Sequence, residues 1–421
     1  MNIHWDSLEI SETEISVDII NSEANSVRIR ENKKAGVRVL KDGNVGIGAA
    51  KGQFDFDELF ERAQASLALK MKAEFDIPYS GVNTFKKGEC NLSPEVFYGI
   101  ATEFINRIRN KNFILSNNIK LLKRKIRVRN SKSTDLYLET SGWSASIVFK
   151  HRNSLGIMDG VISDNGLGVP NFDNLIQQSE QYFNFFDKKV SFKDFFNISS
   201  EKNYYSKLPV LLINPEEHFF SKLKQEFSGK EYHNGTTIFS NELNNKIFSE
   251  KINILDSNIF LNAGIYMPFD TEGTLRENKD LFLIKNGVFY DLAYDLKTAF
   301  KLNKKPTGNG FRTITGNGST GYTHLNILPG EKTVKDLSLK PIIVPMVCAG
   351  GDMVDNGNYS TPVQLAFIVH KGEIIGRLPE FSMNFSFIRA LNEDLIDISS
   401  ERWQNSSLNP ALLIKADIFV N

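Results

Sequence analysis

"SVRIRENKKAGVRVLKDGNVGIGAAKGQFDFDELFERAQASLALKMKAEF", residues 26–75, changes period halfway along. Its first half alternates polar and apolar side chains, and Asp42-Gly43 suits the positive backbone angles of a tight hairpin turn. This predicts a meander of short strands. Its second half spaces Phe56, Leu59, Phe60, Ala63, Leu67 and Met71 near the helical repeat, with acids in the first turn where the helix dipole favours them. A meander followed by an amphipathic helix, without regular βαβ spacing, favours an α+β fold over a doubly wound sheet.

The same alternation continues outward. Ser93-Pro94 reads as an N-cap with proline at the first helical position, opening a helix to about residue 110. "KLLKRKIRVRN" (120–130) and "DLYLETSGWSASIVFKHRN" (135–153) read as strands, and "NFDNLIQQSEQYFNFFD" (171–187) as a helix. The polar stretch "NISSEKNYYSKLP" (197–209) is the best boundary, giving an N-terminal α/β region over 1–205 and a β-rich domain over 206–421. The first region would subdivide near 80–95. Beyond the boundary, "PVLLI" reads as a buried strand, and 215–228 as a helix whose apolar stripe is Phe219, Phe220, Leu223 and Phe227. "DLFLIKNGVFYDLAYDL" is two apolar runs joined at Asn286-Gly287, a hairpin signal.

Composition narrows the function classes. The 421 residues suffice for two or three domains, each with its own core, and 50 basic side chains balance 50 acidic ones. Zero net charge argues against a global attraction to nucleic acid or to an anionic membrane. The acidic opening "MNIHWDSLEISETEIS" lacks the basic and apolar regions of a signal peptide, and no apolar run is long enough to span a bilayer. With only Cys90 and Cys348, far apart, the expected compartment is the cytoplasm.

Candidate chemistry is sparse. "EEHFFSKLKQEFSGKEYHNG" (216–235) has a histidine near each end, yet the same-face neighbours of His218 are Ser221, Lys222 and Gln225, so His218 and His233 read as surface or capping residues rather than metal ligands. "GNGSTG" (316–321) matches the dinucleotide-loop string, but "YTHLNILPGE" follows it where a helix would have to begin. "LKRKIRVR" puts Lys123, Lys125, Arg127 and Arg129 on one strand face, which could contact phosphates and reads better as an exposed face or a charge-protected edge. "GGDMVDNGNYS" carries Asp352 and Asp355 without the alternating acids and terminal glutamate of a calcium loop. There is no G-x-S-x-G.

Taken in order, "FDTEGTLRENKDLFLIKNGVFYDLAYDLKTAFKLNKKPTGNG" (269–310), "THLNILPGE" (323–331), "GGDMVDNGNYS" (350–360) and "HKGEIIGRLPEFSM" (370–383) resemble successive blocks of the TldD/PmbA family. "AGVRVLKDGNVGIGAA" (35–50) is similar to its opening meander. The resemblance implies a two-part architecture in dimers. It also implies a TldD branch of zinc metallopeptidases with His-Glu-x-x-x-His on a helix and a cysteine near the C-terminus. A PmbA/TldE branch lacks those ligands and pairs with TldD, and the implied substrates are unfolded or flexible peptides.

With Gly229 of "FSGKEYHNGTTIF" (227–239) as anchor, the three motif positions fall on Phe220, Ser221 and Gln225, and the last block, "ERWQNSSLNPALLIKADIFV" (401–420), has no cysteine. None of the three does the required job, since phenylalanine cannot ligate, serine cannot replace the glutamate base, and glutamine is a poor zinc ligand. Cys348 reads as a small buried hydrophobe in an earlier strand. The resemblance therefore implies a non-catalytic PmbA/TldE-like subunit with no cofactor of its own, and zinc in a TldD-type partner. A homodimeric peptidase with an unconventional metal site, or a nonenzymatic regulatory binding protein, are the alternatives. Contributors to a peptide cleft working by β-augmentation would be Gly273, Thr274, Asn286, Gly287, Gly308 and Asn309, unless these are turns needed only for folding.

Overall fold

The computed structural model describes residues 3–196, 203–261, 264–276, 278–316, 318–354, 357–403 and 408–420. The first region is built from β1 (His4–Ile20), β2 (Glu23–Lys41), β3 (Asn44–Lys51), α1 (Phe56–Ser66), β4 (Val82–Lys87), α2 (Pro94–Ile108), β5 (Phe113–Asn130), β6 (Asp135–His151), β7 (Gly160–Leu167) and α3 (Asp173–Phe186). Its sheet runs β3-β2-β1-β5-β6-β4, with β7 also on β6; all pairings are antiparallel except β4 with β6. The strands are not short. β1 and β6 have 17 residues each and β2 has 19. Their length follows from cross-strand charge matching: Glu9, Glu12 and Glu14 of β1 pair with Arg129, Arg124 and Lys120 of β5. The acidic opening of the chain is thus one side of a ladder whose other side is the basic strand. That strand lies inside the sheet, so its charges line a face and do not protect an edge.

Local signals fix the ends of elements. Asp42 and Gly43 both have positive φ (51° and 72°), as a two-residue hairpin requires. The side chain of Asp55 accepts from the N–H groups of Asp57 and Glu58 to open α1, and Ser93 accepts from Val96 to open α2. α1 stops at Ser66 rather than running to Met71, because a 3₁₀ turn over Leu67–Leu69 ends on Lys70 in the left-handed region, leaving Met71 exposed outside the helix.

The rest of the chain contributes β8 (Tyr204–Leu212), α4 (Pro215–Glu226), α5 (Gly229–His233), β9 (Ile254–Ser257), β10 (Ile259–Phe260), β11 (Ile265–Tyr266), β12 (Asp280–Lys285), β13 (Val288–Phe289) and α6 (Leu296–Leu302). Then come β14 (Gly310–Phe311), β15 (Ser319–Thr320), β16 (Leu325–Ile327), α7 (Val334–Leu337), β17 (Ile342–Cys348), β18 (Asp352–Met353) and β19 (Asn358–His370). The last are β20 (Glu373–Arg377), β21 (Phe381–Ser386), α8 (Phe387–Ala390), β22 (Leu395–Ile398) and β23 (Leu412–Val420). Pairings run β17-β8-β23-β21-β19 and return from β19 to β17, so this sheet closes on itself and leaves no edge along that ring. α4 packs Phe219, Phe220 and Leu223, and Phe227 at its C-terminal end follows them, into the barrel core shared with Ile343, Met383 and Ile414. Asn286 and Gly287, both at positive φ, join β12 to β13 as the sequence predicts. The fold is therefore α+β, rich in strand and poor in helix toward the C-terminus.

A second core joins the two parts. Val17, Leu115, Ile119 and Ile147 of the N-terminal sheet, capped by Phe97 and Phe104 of α2 and Tyr182 and Phe183 of α3, are continuous with Leu211, Val344, Phe367 and Leu413 of the barrel. Residues 197–202 of the polar stretch, together with Asn317 and Asp355, lie outside the described residues. After the "GNGSTG" string comes strand β16, not a helix. Among the described residues no helix is long and apolar enough to cross a membrane.

Candidate functional site

Helix α4 forms because Pro215 sits in its first turn with Glu216 and Glu217, while Lys224 lies in the last turn. Of the three register positions on it, Phe220 is 5% exposed and belongs to the barrel core, whereas Ser221 and Gln225 face outward. A buried phenyl ring and two neutral exposed side chains do not fit a zinc ion. His218 corrects the expectation of a surface histidine. It is buried, its Nδ1 lies 3.2 Å from the Tyr359 hydroxyl, and burial pulls its pKa down to about 4, so the ring is neutral near pH 7. His233 ends α5, and His324 stacks on Phe260. Cys348 ends β17 beside Thr361 and Glu217, where burial pushes its thiol up to about 12. Among the described residues, no three His, Cys, Asp or Glu side chains converge as metal ligands.

The residues that do converge are buried ions at the join between the two parts. Arg38 of β2 donates from Nε and Nη2 to Asp6 of β1, at 2.6 Å for the shorter Nη2 contact. Arg312 donates to the other oxygen of Asp6 at 3.0 Å, and the Glu272 carboxylate lies 3.7 Å from Arg38. All four are essentially excluded from solvent. The two guanidinium groups hold the Asp6 carboxyl below the usual carboxylate range despite its burial. Asp270 is pushed the other way, to about 7, by burial and by the negative charge of Glu272, although it accepts the N–H groups of Glu272, Thr274 and Gly310. A second knot lies alongside, in which Asp256 accepts from Arg276, Asn309 and the backbone of His324.

Four of the six proposed cleft residues meet here. Gly273 and Thr274 form the turn closed on Asp270, while Arg276 donates to the carbonyl of Gly308 and to Asn309 Oδ1. Asn286 and Gly287 lie elsewhere, with Gly287 hydrogen-bonded to the backbone of Ile252 and Phe248. Asp6, Arg38, Glu272 and Arg312 carry no local signal of this role. Their meeting depends on tertiary pairing, and only the charge of Arg38 within the otherwise apolar run "AGVRVL" hints at it.

Next to this network opens a cleft of about 590 Å³. Its floor is the uncovered end of one sheet face, with Ile10, Leu122, Thr140 and Ser144 around the 2.7 Å ion pair of Glu12 with Arg124. Asn165–Leu167 of β7 form one rim, where that strand pairs, among the described residues, only with β6, and Gly264–Met267 reach across from the C-terminal part to touch Gly166. Phe311, Tyr322 and Thr323 close the end adjoining the ion network. Apolar walls, scattered hydroxyls and a free strand edge suit an extended chain, bound by shape and backbone hydrogen bonds.

Residues 214–418 match the family model for the PmbA/TldA metallopeptidase C-terminal domain. A metalloprotease PmbA homolog of Buchnera aphidicola is 26% identical over 229 residues, 53% of this chain and 48% of that protein, so the match spans about half the length of that relative. An uncharacterized protein of Methanocaldococcus jannaschii is 22% identical over 422 residues, covering 98% of this chain and 95% of its own. In fold, the chain is similar to TldE from Thermococcus kodakarensis, with a TM-score of 0.80 at 18% identity over 99% of this chain and 97% of that one. It is also similar to a putative modulator of a DNA gyrase from Thermotoga maritima, with a TM-score of 0.76 at 17% identity over 99% and 96%. The class so defined is metallopeptidase-related, an N-terminal sheet locked by buried ions onto a C-terminal barrel. The chain belongs to the TldD/PmbA family.

Proposed function

We propose that this chain is a PmbA/TldE-type subunit that carries no catalytic metal site, pairs in the cytoplasm with a TldD-type zinc metallopeptidase, and helps to hold unfolded or flexible peptides for cleavage. The observation that carries the reading is Phe220. Where the resemblance places the first zinc-binding histidine, the side chain is a component of the barrel core. The neighbouring cleft supplies a surface on which an extended peptide could lie, and its apolar walls and the β7 edge, unpaired among the described residues, favour backbone recognition over sequence selection. Direct binding of duplex DNA is disfavoured, because Lys125, Arg127 and Arg129 are already paired with Glu139, Asp135 and Glu9.

The test is reconstitution. The purified chain is assayed for zinc and for cleavage of an unfolded peptide, alone and mixed with a TldD-type protein bearing His-Glu-x-x-x-His. The reading expects less than about a tenth of a metal per chain, no cleavage alone, and a stable mixed complex that cleaves. Stoichiometric metal together with cleavage by this chain alone would sink it in favour of the homodimeric peptidase.

A further inference from the structure

The floor of the cleft continues outward as one face of β1, β2, β3 and β5. Paired residues of neighbouring strands share a face, as does every second residue along a strand, so the register sorts the charges. Lys34 pairs with Ile10 of the cleft floor, and from there the same face carries Arg28, Arg30, Lys34, Lys51, Lys120 and Arg124 with the carboxylates of Glu12, Glu14 and Asp18. Each carboxylate holds one cation: Glu12 holds Arg124 at 2.7 Å, Glu14 holds Lys120 at 3.4 Å and Asp18 holds Arg28 at 3.4 Å. Six cations thus stand against three carboxylates, and among the described residues Arg30, Lys34 and Lys51 have no carboxylate within ion-pair distance. Lys34 and Lys51 are direct cross-strand partners, a repulsion that an anion between them would relieve. The segments of the C-terminal part that line the cleft add no charged side chain.

The same strands leave an edge open. β2 pairs with β3 only from Lys34 to Lys41. Before that, among the described residues, β2 pairs with β1 alone, so its outer backbone groups are unpaired from Glu23 to Asn32. Arg28 and Arg30 are exposed on the cleft face of this edge, and Val27 and Ile29 project from the other face at 39% and 55% exposure. A second copy of the edge is a poor partner, because antiparallel pairing centred on Ile29 sets Arg28 against Arg30. An extended acidic segment is a good one. Its backbone pairs with β2 and its alternate carboxylates fall on the face of Arg28, Arg30 and Lys34. Single-stranded nucleic acid fits less well, since the residues opposite Arg28, Arg30 and Asn32 on β1 and β5 include no aromatic side chain for base stacking.

We propose that the free edge of β2 is a docking site for a flexible peptide with acidic residues at alternating positions, with Arg28, Arg30 and Lys34 as its charged contacts. The site adjoins the cleft at Lys34, so it tethers an acidic substrate whose neighbouring segment lies in the cleft. That purpose rests on the peptide-holding reading, whereas the binding itself does not.

Fluorescence anisotropy of the full chain at low ionic strength tests it. The probes are labelled peptides of alternating glutamate and threonine or of alternating glutamine and threonine, with oligothymidylate as the nucleic-acid arm. The glutamate peptide should bind roughly tenfold or more tighter than the glutamine peptide and lose that margin in R30A/K34A and in high salt. K33A, whose side chain lies on the opposite face, should keep it. A glutamate peptide N-methylated at alternate residues keeps its charge but cannot pair as a strand, and should lose most of its affinity; undiminished binding overturns the edge. Equal affinity for the glutamate and glutamine peptides, or equal losses in K33A and R30A/K34A, overturns the inference and leaves the cleft reading standing. Oligothymidylate binding tighter than the glutamate peptide, and lost in R30A/K34A, assigns the edge to nucleic acid and overturns the peptide assignment. Failure of every peptide to bind at roughly 1 mM overturns the site and the peptide-holding reading together.

Discussion

Asp6 and Arg312 stand 306 residues apart in the chain and meet inside it, with Nη2 of the arginine 3.0 Å from Oδ1 of the aspartate. Arg38 holds the other side of the same carboxylate. One strand of the N-terminal sheet is thereby clamped to a loop of the C-terminal part in a place closed to bulk solvent. An ion pair so placed gains little over apolar packing while intact, but loss of one member strands the other.

D6A should therefore destabilise the protein by about 3–5 kcal/mol, because two guanidinium groups lose a buried counter-charge. Urea denaturation measures the loss. The double variant D6A/R312M should cost clearly less than the two single losses combined, since it removes charge from both sides. Strict additivity would mean that the two groups do not act as a pair.

Glycine 318 predicts a second loss. The Glu272 carboxylate passes between Gly310 and Gly318, and a Cβ on Gly318 would lie 2.1 Å from Oε1. G318A should push Glu272 off Arg38 and cost about 1–3 kcal/mol. G99A on an exposed face of α2 meets nothing within 4 Å and should instead stabilise by about 0.5–1 kcal/mol, which makes the pair an internal control in the same denaturation series.

The glycine result shows why the sequence is only partly legible. The "GNGSTG" string reads correctly as something other than a nucleotide loop, since strand β16 follows it, yet the reason for glycine at 318 is a carboxylate 46 residues earlier that no local pattern reveals. Hairpins at Asp42-Gly43 and Asn286-Gly287, and the cap at Ser93, are local and readable for that reason. β1 was hidden, because its alternation is of acids with small polar and apolar residues and makes sense only beside the basic β5. His218 sits one residue before the apolar stripe of α4, and its burial follows from the approach of Tyr359 on β19.

Histidine 218 also sets a pH dependence. Its folded pKa, lowered to about 4 from the ordinary 6.5, lets the unfolded chain bind a proton that the folded chain refuses between those values. Stability from this group is thus complete above about 6.5 and falls as pH drops toward 4. His324, also lowered to about 4 by burial, adds in the same sense. Asp270, raised to about 7 from 3.8, acts oppositely: the folded chain binds the extra proton, so its stability contribution declines as pH rises through that window. Urea midpoints from pH 4 to 7 should show a shallower acid-side fall for H218Q than for the unaltered chain, and a shallower decline toward neutral pH for D270N. Parallel curves for all three would show that neither group titrates differently on folding.

Installing a His-Glu-x-x-x-His motif on α4 tests whether this helix can present three ligands to one metal ion. F220H replaces a ring packed among Phe219, Leu223 and the barrel strands with an imidazole whose nitrogens find no partner there. An unpaired buried polar group costs about 1–3 kcal/mol, in addition to the repacking. S221E and Q225H, at exposed positions, should each change stability by less than about 0.5 kcal/mol. The triple variant should therefore carry the cost of F220H nearly alone, and added zinc should not return the lost stability, since Phe220 points into the core and the other two side chains point out of it. Recovery of thermal stability on adding zinc would show that the helix still presents the three positions to one point, and would reopen the metal-site reading for this chain.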